Sequence, residues 1–125
     1  MMRILTFDNR FTSELPQDPI CETYQRQVSN ALWSTAQPTP VKNPQILAYS
    51  PEVASMLGFT AADMQDPALI QTLGGNGALT GMVTYATRYG GHQFGHWAGQ
   101  LGDGRAILLG ELMHEGKRFE LQLKG

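Results

Sequence analysis

The most informative stretch of the sequence is Tyr89-Gly90-Gly91-His92-Gln93-Phe94-Gly95-His96-Trp97-Ala98-Gly99-Gln100-Leu101-Gly102-Asp103-Gly104-Arg105. Six of these seventeen residues are glycine. Such a density costs conformational entropy on folding, so it indicates tight turns with positive φ or a backbone that a ligand approaches closely. The simpler interpretation is a hairpin turn at Gly102-Asp103-Gly104, between a strand near residues 94–101 and one near residues 105–111, because Asp-Gly favours turns.

A second interpretation of the same turn is a phosphate-binding loop. Its backbone N–H groups would cradle the phosphate, Arg105 would add a charged fork, and Lys124, two strands later, would add a point charge. A glycine-rich hairpin, a strand, a turn and a strand that ends in lysine is the layout of a kinase-type nucleotide-binding lobe. The spacing is neither G-x-G-x-x-G nor G-x-x-x-x-G-K-[ST], and no helix immediately follows, which excludes the Rossmann and P-loop motifs.

The last twenty residues predict an antiparallel hairpin. Two strands, at residues 106–109 and 118–124, flank the turn signal His114-Glu115-Gly116-Lys117. Apolar and polar residues alternate along the second strand, and successive side chains point to opposite faces of a sheet. Lys124 is therefore predicted on the polar face.

Proline and glycine divide the chain into three parts. All seven prolines lie between Pro16 and Pro67, whereas thirteen of the fourteen glycines come after the last proline. Because proline fixes φ and lacks an N–H, we interpret residues 1–45 as an extended, Pro-rich N-terminal arm. Residues 46–81 are predicted to form short helices, and residues 82–125 a Gly-rich β-hairpin segment. Together they are predicted to form a single domain of the α+β class.

The arm carries weaker signals of local structure. Segments 15–20 and 36–45 are predicted to be extended or turning because they are rich in proline. Between them, apolar residues spaced on one side indicate a helix at residues 20–33. Residues 44–49 form an apolar run of strand length.

The clearest helix signal in the chain begins at Ser50. Ser50 is a suitable N-cap, Pro51 suits the first helical position, and Gly58 can adopt the left-handed conformation that ends a helix. A second short helix is predicted to start near Thr60 and a third at Asp66-Pro67. These elements indicate packing rather than chemistry.

Length, composition and charge exclude several functional classes. At 125 residues, 42% apolar and 16% charged, the chain is at most one ordinary globular domain. Its formal net charge of −2 gives no cationic field for nucleic acid or an anionic membrane, so we expect neither partner. No apolar run is long enough for a membrane span or a signal peptide, which predicts a cytoplasmic protein. The lone cysteine, Cys21, excludes an intrachain disulfide.

Three further features have a structural and a functional interpretation. His92 and His96 have a metal-ligand spacing if they lie on a helix, but the neighbouring glycines argue against a helix and no third ligand is evident. Cys21 lacks a neighbouring base and is expected to be a buried or partly buried thiol rather than a nucleophile. Four aromatic side chains can stack a base, but we expect them to fill the core of a small β lobe: Tyr85, Tyr89, Phe94 and Trp97.

Longer pieces of the sequence resemble a known family. The run Tyr89–Ala106, continued by Leu109-Gly110-Glu111 and Leu121-Gln122-Leu123-Lys124-Gly125, closely resembles the signature of the selenoprotein O family. Earlier pieces resemble the opening of that family: Phe7-Asp8-Asn9-Arg10-Phe11, Glu14-Leu15-Pro16, Pro38-Thr39-Pro40 and Ser50-Pro51-Glu52-Val53-Ala54. The resemblance spans essentially the whole chain.

The resemblance implies a protein-kinase-like fold, once regarded as that of a pseudokinase. It implies an α+β architecture, in which an N-terminal extension with short helices joins the antiparallel β hairpins of a truncated kinase-like N-lobe. It also implies an adenylyltransferase that binds ATP in a flipped orientation and transfers AMP to Ser, Thr or Tyr hydroxyls of protein substrates, with Mg²⁺ or Mn²⁺. Gly102, Gly104 and Arg105 match the family's nucleotide-contacting glycine loop, and Lys124 matches the lysine that contacts the ATP phosphates. Both cations would then stabilise the departing pyrophosphate.

Members of that family are several times longer than this chain. The glutamate that pairs with Lys124, the catalytic aspartate and the metal-binding asparagine and aspartate are expected beyond residue 125, so no catalytic or metal-binding residue is assigned here. We expect a fragment without turnover, with weak nucleotide affinity and an exposed apolar patch. Two alternatives stay open: a kinase-like phosphotransferase, and a non-catalytic nucleotide-binding or interaction module.

Overall fold

A computed structural model describes residues 4–22, 24–102 and 104–125. In this part of the chain the elements are, in order, β1 (Thr6–Phe7), α1 (Arg10–Glu14), β2 (Trp33–Thr35), α2 (Pro51–Met56), a 3₁₀ helix (Asp63–Gln65), α3 (Pro67–Leu73), β3 (Tyr85–Gln93), β4 (His96–Gly102), β5 (Ala106–His114) and β6 (Lys117–Lys124). Short helices with one antiparallel sheet confirm the predicted α+β class. None of the described helices is long and apolar enough to cross a membrane.

The sheet is built around β5. One edge of β5 pairs with β6, and the other pairs with β1 near Met113 and with β3 at Leu108. β3 continues the sheet to β2 through residues 85–87. Beyond that point the described part of β3 pairs with β4, from Arg88 opposite Gly102 to the end of the strand. We call this two-stranded part, residues 88–93 and 96–102, the ribbon.

Both hairpins close through two-residue turns with positive φ. Phe94 and Gly95, at 51° and 80°, close β3 onto β4, and Glu115 and Gly116, at 49° and 74°, close β5 onto β6. Positive φ at both central residues defines the type I′ turn, whose twist matches that of paired strands. The β5–β6 hairpin confirms the turn predicted at residues 114–117.

The predicted hairpin at Gly102-Asp103-Gly104 is wrong in its strand pairing. In the described part of the chain, β4 pairs with β3 and not with β5. The reason is the tight turn at Phe94-Gly95, which folds β4 directly back along β3. Asp103 itself lies outside the described residues. Gly102 ends the ribbon and Gly104 precedes the central strand, and we call these two described residues the glycine turn.

Two apolar clusters among the described residues form part of the core. The first joins β2, β3 and β5 to the start of the chain through Trp33, Tyr85, Leu108, Phe11 and Leu15. Tyr85 stacks on Phe11 with ring centroids 5.3 Å apart and meets Trp33 edge-on. The second cluster lies among the short helices and comprises Ala54, Met64, Leu69, Ile46, Phe59 and Leu79. Beside it an open apolar groove of about 230 Å³ includes half-exposed Val53, the kind of apolar patch that the sequence predicts.

The predicted helix starts are confirmed at α2 and α3. The Ser50 hydroxyl accepts the Val53 N–H at 3.2 Å, and Gly58 follows α2 with φ at 80°. Asp66 caps α3 in the same way by accepting the Ala68 N–H at 2.8 Å. Both helix starts can be predicted from the sequence because an N-cap side chain accepts a backbone N–H only two or three residues later in the chain.

The arm differs from its sequence-based prediction. No helix forms among the described residues of 20–33, and instead Leu32 donates its N–H to the Pro16 carbonyl at 2.9 Å. The apolar run at residues 44–49 is not a strand, since it lies along no sheet edge. α1 was not predicted, and the helix expected from Thr60 is the single 3₁₀ turn.

Two side-chain amides hold the arm by its backbone. Asn76 accepts the Val41 N–H at 2.6 Å and donates to the Val41 carbonyl at 2.7 Å. Gln100 accepts the Val28 N–H at 2.8 Å and also donates to the Val28 carbonyl. In each case one carboxamide occupies both backbone groups of one residue, as a neighbouring strand would. We call these contacts the carboxamide clips.

A bulge in β5 receives the start of the chain. The register shifts between Leu108 and Gly110, and Gly110 has φ at 124°. The Asn9 side chain accepts the Glu111 N–H at 3.0 Å and donates to the Gly81 carbonyl at 2.8 Å. A Cβ at Gly110 would lie 2.7 Å from Asn9 Oδ1, so only glycine fits there.

Asp18 is a buried carboxylate that joins the arm to β3. It accepts the Ile20 N–H at 3.0 Å, the Ser34 hydroxyl at 3.1 Å, Arg88 Nη2 at 2.8 Å and Arg26 Nη2. The Ile20 N–H is the main cause that lowers the pKa of Asp18. Ser34, Arg26 and Arg88 act in the same direction, against the effect of burial.

This lowered pKa gives folding stability a defined pH dependence. The folded pKa lies below the unfolded value of about 3.9, so the contribution of Asp18 is present above that value and is lost as pH falls through the folded pKa. Asp18→Asn should therefore lower the free energy of unfolding at neutral pH, and the difference from the wild type should shrink in acid. Urea unfolding of both proteins across the acidic range measures this. A difference that is independent of pH would contradict it.

Candidate functional site

The four predicted site residues lie together at one end of the sheet. Lys124 Nζ donates to the Gly104 carbonyl at 2.8 Å. Gly104 donates its N–H to the Gly102 carbonyl at 2.9 Å, and Gly125 donates its N–H to the Arg105 carbonyl at 2.8 Å. Hydrogen bonds therefore link the glycine turn and Arg105 to the end of β6, about twenty residues later in the sequence. Gly102 itself lines a neighbouring cavity beside the arm, whereas Arg105 and Lys124 line a cleft of their own.

β6 carries Lys124 to this position. The type I′ turn at Glu115-Gly116 starts β6 opposite β5, and the pairing runs without interruption from there to the bulge at Gly110. From Phe119 to Lys124 the apolar residues of β6 are half-buried and the polar residues are exposed, as the predicted alternation requires. Lys124 is exposed at the end of the strand.

The two glycines of the turn are not required by packing. At Gly102 an added Cβ would have the Thr87 carbonyl oxygen as its nearest neighbour, 3.9 Å away, and at Gly104 it would meet no described atom within 4 Å. The φ of Gly102 is not positive, so that backbone suits other residues too. The described structure therefore leaves open space beside both glycines.

Arg105 turns the chain from the glycine turn into β5. It is exposed and has φ at 57°, a left-handed conformation that costs energy in a residue with a Cβ. Arg105 and Lys124 line the same open cleft, of about 580 Å³. The opposite side of that cleft is formed by the arm and by the end of α3, through Pro38, Thr39, Val41, Leu73, Gly74 and Gly75.

These arm residues were not predicted as part of a site. The sequence marks Pro38-Thr39-Pro40 only as an extended piece, and nothing local indicates that it faces Arg105. The contact that brings it there is the Asn76 clip on Val41, across 35 residues of chain. A polar residue after a pair of glycines is a common feature of loops, so the clip gives no distinctive signal in the sequence.

The aromatic residues of the glycine-rich stretch divide between core and surface. Tyr85 is buried, as expected. The prediction of core packing is wrong for Tyr89, Phe94 and Trp97, which are 49%, 100% and 63% exposed. The reason is that they lie on the ribbon, which extends beyond the sheet. Trp97 packs on the ribbon itself, so that a Cβ at Gly90 would lie 2.7 Å from its ring.

The remaining candidates give no site. His92 meets Trp97 edge-on with ring centroids 5.0 Å apart, and both histidines lie on strands rather than a helix. Cys21 is exposed, which corrects the expectation of a buried or partly buried thiol. In residues 4–22, 24–102 and 104–125, no group of three or more His, Cys, Asp or Glu side chains is placed to hold a metal ion.

Comparison with known proteins places the chain in a family. The family described as Protein adenylyltransferase SelO matches residues 20–125. Relatives described as Protein nucleotidyltransferase YdiU are 59% identical over 99% of this chain in Tolumonas auensis and 55% identical over 98% in Methylobacillus flagellatus. In both cases the chain spans 24% of the relative's length. The chain belongs to the protein adenylyltransferase SelO family.

Proposed function

We propose that this chain is the ATP-binding part of a protein adenylyltransferase, which transfers AMP from ATP to Ser, Thr or Tyr hydroxyls of protein substrates. The observation that carries the proposal is the contact of Lys124 Nζ with the glycine turn, in the cleft that Arg105 also lines. The family description supports the type of reaction, because it names an adenylyltransferase. The relatives' description as protein nucleotidyltransferases supports protein substrates.

The two cations have separate tasks in this proposal. Lys124 uses one of its three N–H groups on the Gly104 carbonyl, which aims the ammonium at the turn and leaves the others for phosphate oxygens. Arg105 offers a planar fork that suits a second phosphate. When AMP is transferred, pyrophosphate leaves, and both positive charges would stabilise the negative charge that develops on it. The Gly104 N–H is engaged with Gly102, so the cations dominate recognition.

A divalent cation, Mg²⁺ or Mn²⁺, would neutralise phosphate charge in this reaction. The described residues do not offer a set of ligands for such an ion. In the proposal its ligands, the catalytic base and the partner of Lys124 come from polypeptide outside these residues. Residues 4–125 therefore contribute phosphate binding and orientation.

The test uses a chimera, because the chain spans a quarter of its relatives. These 125 residues replace the matching quarter of the Tolumonas auensis relative, and the product is incubated with Mg²⁺ and ATP labelled on the α-phosphate. Label that enters protein supports AMP transfer. Label that enters protein only from the γ-phosphate would establish the phosphotransferase alternative. No transfer from either position, with the unmodified relative active in parallel, would contradict an enzymatic role for this sequence.

Gly102→Ala should separate nucleotide binding from stability. The site has room for a Cβ, and the substitution reduces the freedom of the unfolded chain, so the free energy of unfolding should change by less than about 1 kcal/mol. ATP affinity should fall several-fold, since a methyl group would occupy the space that a phosphate approaches. Chemical denaturation and ATP titration of the same sample measure both effects. Unchanged ATP affinity would remove Gly102 from the site.

A further inference from the structure

The glycine turn lies at the end of a ribbon that needs support. Beyond residue 87, the described part of β3 pairs with β4 and with no other strand. An isolated two-stranded hairpin is marginally stable in water. Contacts from outside the ribbon must therefore determine where the glycine turn sits.

The first such contact is the Gln100 clip. Gln100 lies two residues before Gly102, and its carboxamide occupies both the N–H and the carbonyl of Val28. It joins β4 to the arm across 72 residues of chain. Because a carboxamide that makes two hydrogen bonds fixes both distance and orientation, the clip defines the path of β4 into the glycine turn.

The second contact lies on the other strand of the ribbon at the same level. Arg88 is the partner of Gly102 in the β3–β4 register. Its side chain donates to buried Asp18 at 2.8 Å, and its backbone N–H donates to the Leu32 carbonyl at 2.8 Å. Both strands of the ribbon are therefore attached to the arm where the glycine turn begins, and Lys124 holds the other side of the turn.

We propose that the arm positions the glycine turn for nucleotide, with Gln100 and the Asp18–Arg88 pair as positioning residues that act through the turn. The inference rests on the proposed function. The physical reason is that the turn has no side chains of its own at Gly102 and Gly104 to restrict it. Ordering it at the moment of binding would weaken affinity, whereas contacts that order it beforehand remove that cost.

The test measures ATP binding and turn mobility in the chimera that carries these 125 residues in the Tolumonas auensis relative. Gln100→Met keeps the length of the side chain and removes both hydrogen bonds to Val28. The matched control is Gln93→Met on the same ribbon, since the exposed Gln93 side chain makes no hydrogen bond with a described residue. MgATP titrations followed by the amide signals of Arg105 and Gly125 give the affinity. Hydrogen exchange of the Gly102 and Gly104 amides gives the mobility, with Leu112 in β5 as the reference for global stability.

We expect Gln100→Met to raise the Kd for ATP by about three- to tenfold, the loss of one or two net hydrogen bonds, while Gln93→Met matches the wild type. Exchange at Gly102 and Gly104 should accelerate with no change at Leu112. Equal Kd values for Gln100→Met and Gln93→Met would overturn the inference.

Lys124→Ala distinguishes this inference from the proposed function. If Lys124→Ala weakens ATP binding and Gln100→Met does not, the turn binds nucleotide without help from the arm, and only the positioning role fails. If the wild type shows no response to ATP, the proposed function and the positioning role fail together. Faster exchange at Leu112 in Gln100→Met would show a global loss of stability and would also contradict a specific positioning role.

Discussion

Lys124→Ala should reduce AMP transfer by the chimera by about two orders of magnitude or more, the usual effect of removing one preorganised donor to developing charge. Lys124 is exposed, and its ammonium contacts the glycine turn rather than the core. The free energy of unfolding should therefore change little. Transfer of label from the α-phosphate, measured at saturating ATP and at low ATP, separates an effect on catalysis from an effect on binding.

Lys117→Ala is the matched control for Lys124. Lys117 lies on the same strand, is also exposed and starts β6 beside the turn at the opposite end. Lys117→Ala should retain wild-type transfer. A loss of transfer seen only in Lys124→Ala is then caused by the position of Lys124 and not by the change in net charge. Wild-type transfer by Lys124→Ala would contradict the assignment of this residue to the phosphates.

Gly110→Ala should lower the free energy of unfolding by about 3–5 kcal/mol. Alanine at φ 124° is strained by about 1–3 kcal/mol, and its Cβ would collide with Asn9 Oδ1 at 2.7 Å. Relief of that collision displaces Asn9, which then loses its hydrogen bonds with Glu111 and Gly81. Urea denaturation followed by circular dichroism gives the free energy directly.

Gly116→Ala is the control that isolates the collision. Gly116 also has positive φ, at 74°, but an added Cβ there meets no described atom within 4 Å. It should cost about 1 kcal/mol, from backbone strain alone. An equal loss in the free energy of unfolding for Gly110→Ala and Gly116→Ala would contradict a stabilising contact between Asn9 and the β5 bulge.

Sequence reasoning succeeded where the deciding contacts are local. Ser50 caps a helix through Val53, and Glu115-Gly116 closes a hairpin between adjacent strands, so neighbouring residues contain the whole signal. It failed at β4, whose partner depends on competition between two turns. Phe94-Gly95 closes the ribbon, although phenylalanine is not a residue that a type I′ turn favours.

Only part of the candidate site can be predicted from the sequence, because contacts between distant residues leave no local signal. Its four residues are predicted from the glycine pattern and the family resemblance. Hydrogen bonds link them in the structure, and their role in nucleotide binding stays a prediction. The side of the cleft that the arm forms is not predicted from the sequence. Asn76 and Val41 meet across 35 residues, and no periodic pattern lies between them. Exposure of Trp97 was missed because an aromatic residue beside glycines looks the same in the sequence whether it packs on a core or on a ribbon.

The carboxamide clips affect how the arm can change in evolution. Each clip recognises the peptide groups of one arm residue, Val28 or Val41, and places no demand on its side chain. Nineteen amino acids supply both groups, and proline alone lacks the N–H. Substitutions can therefore accumulate at these two arm positions without loss of attachment, while Asn76 and Gln100 cannot be exchanged for residues that lack a donor and an acceptor. Each contact therefore tolerates substitution of the arm residue and restricts substitution of the carboxamide residue.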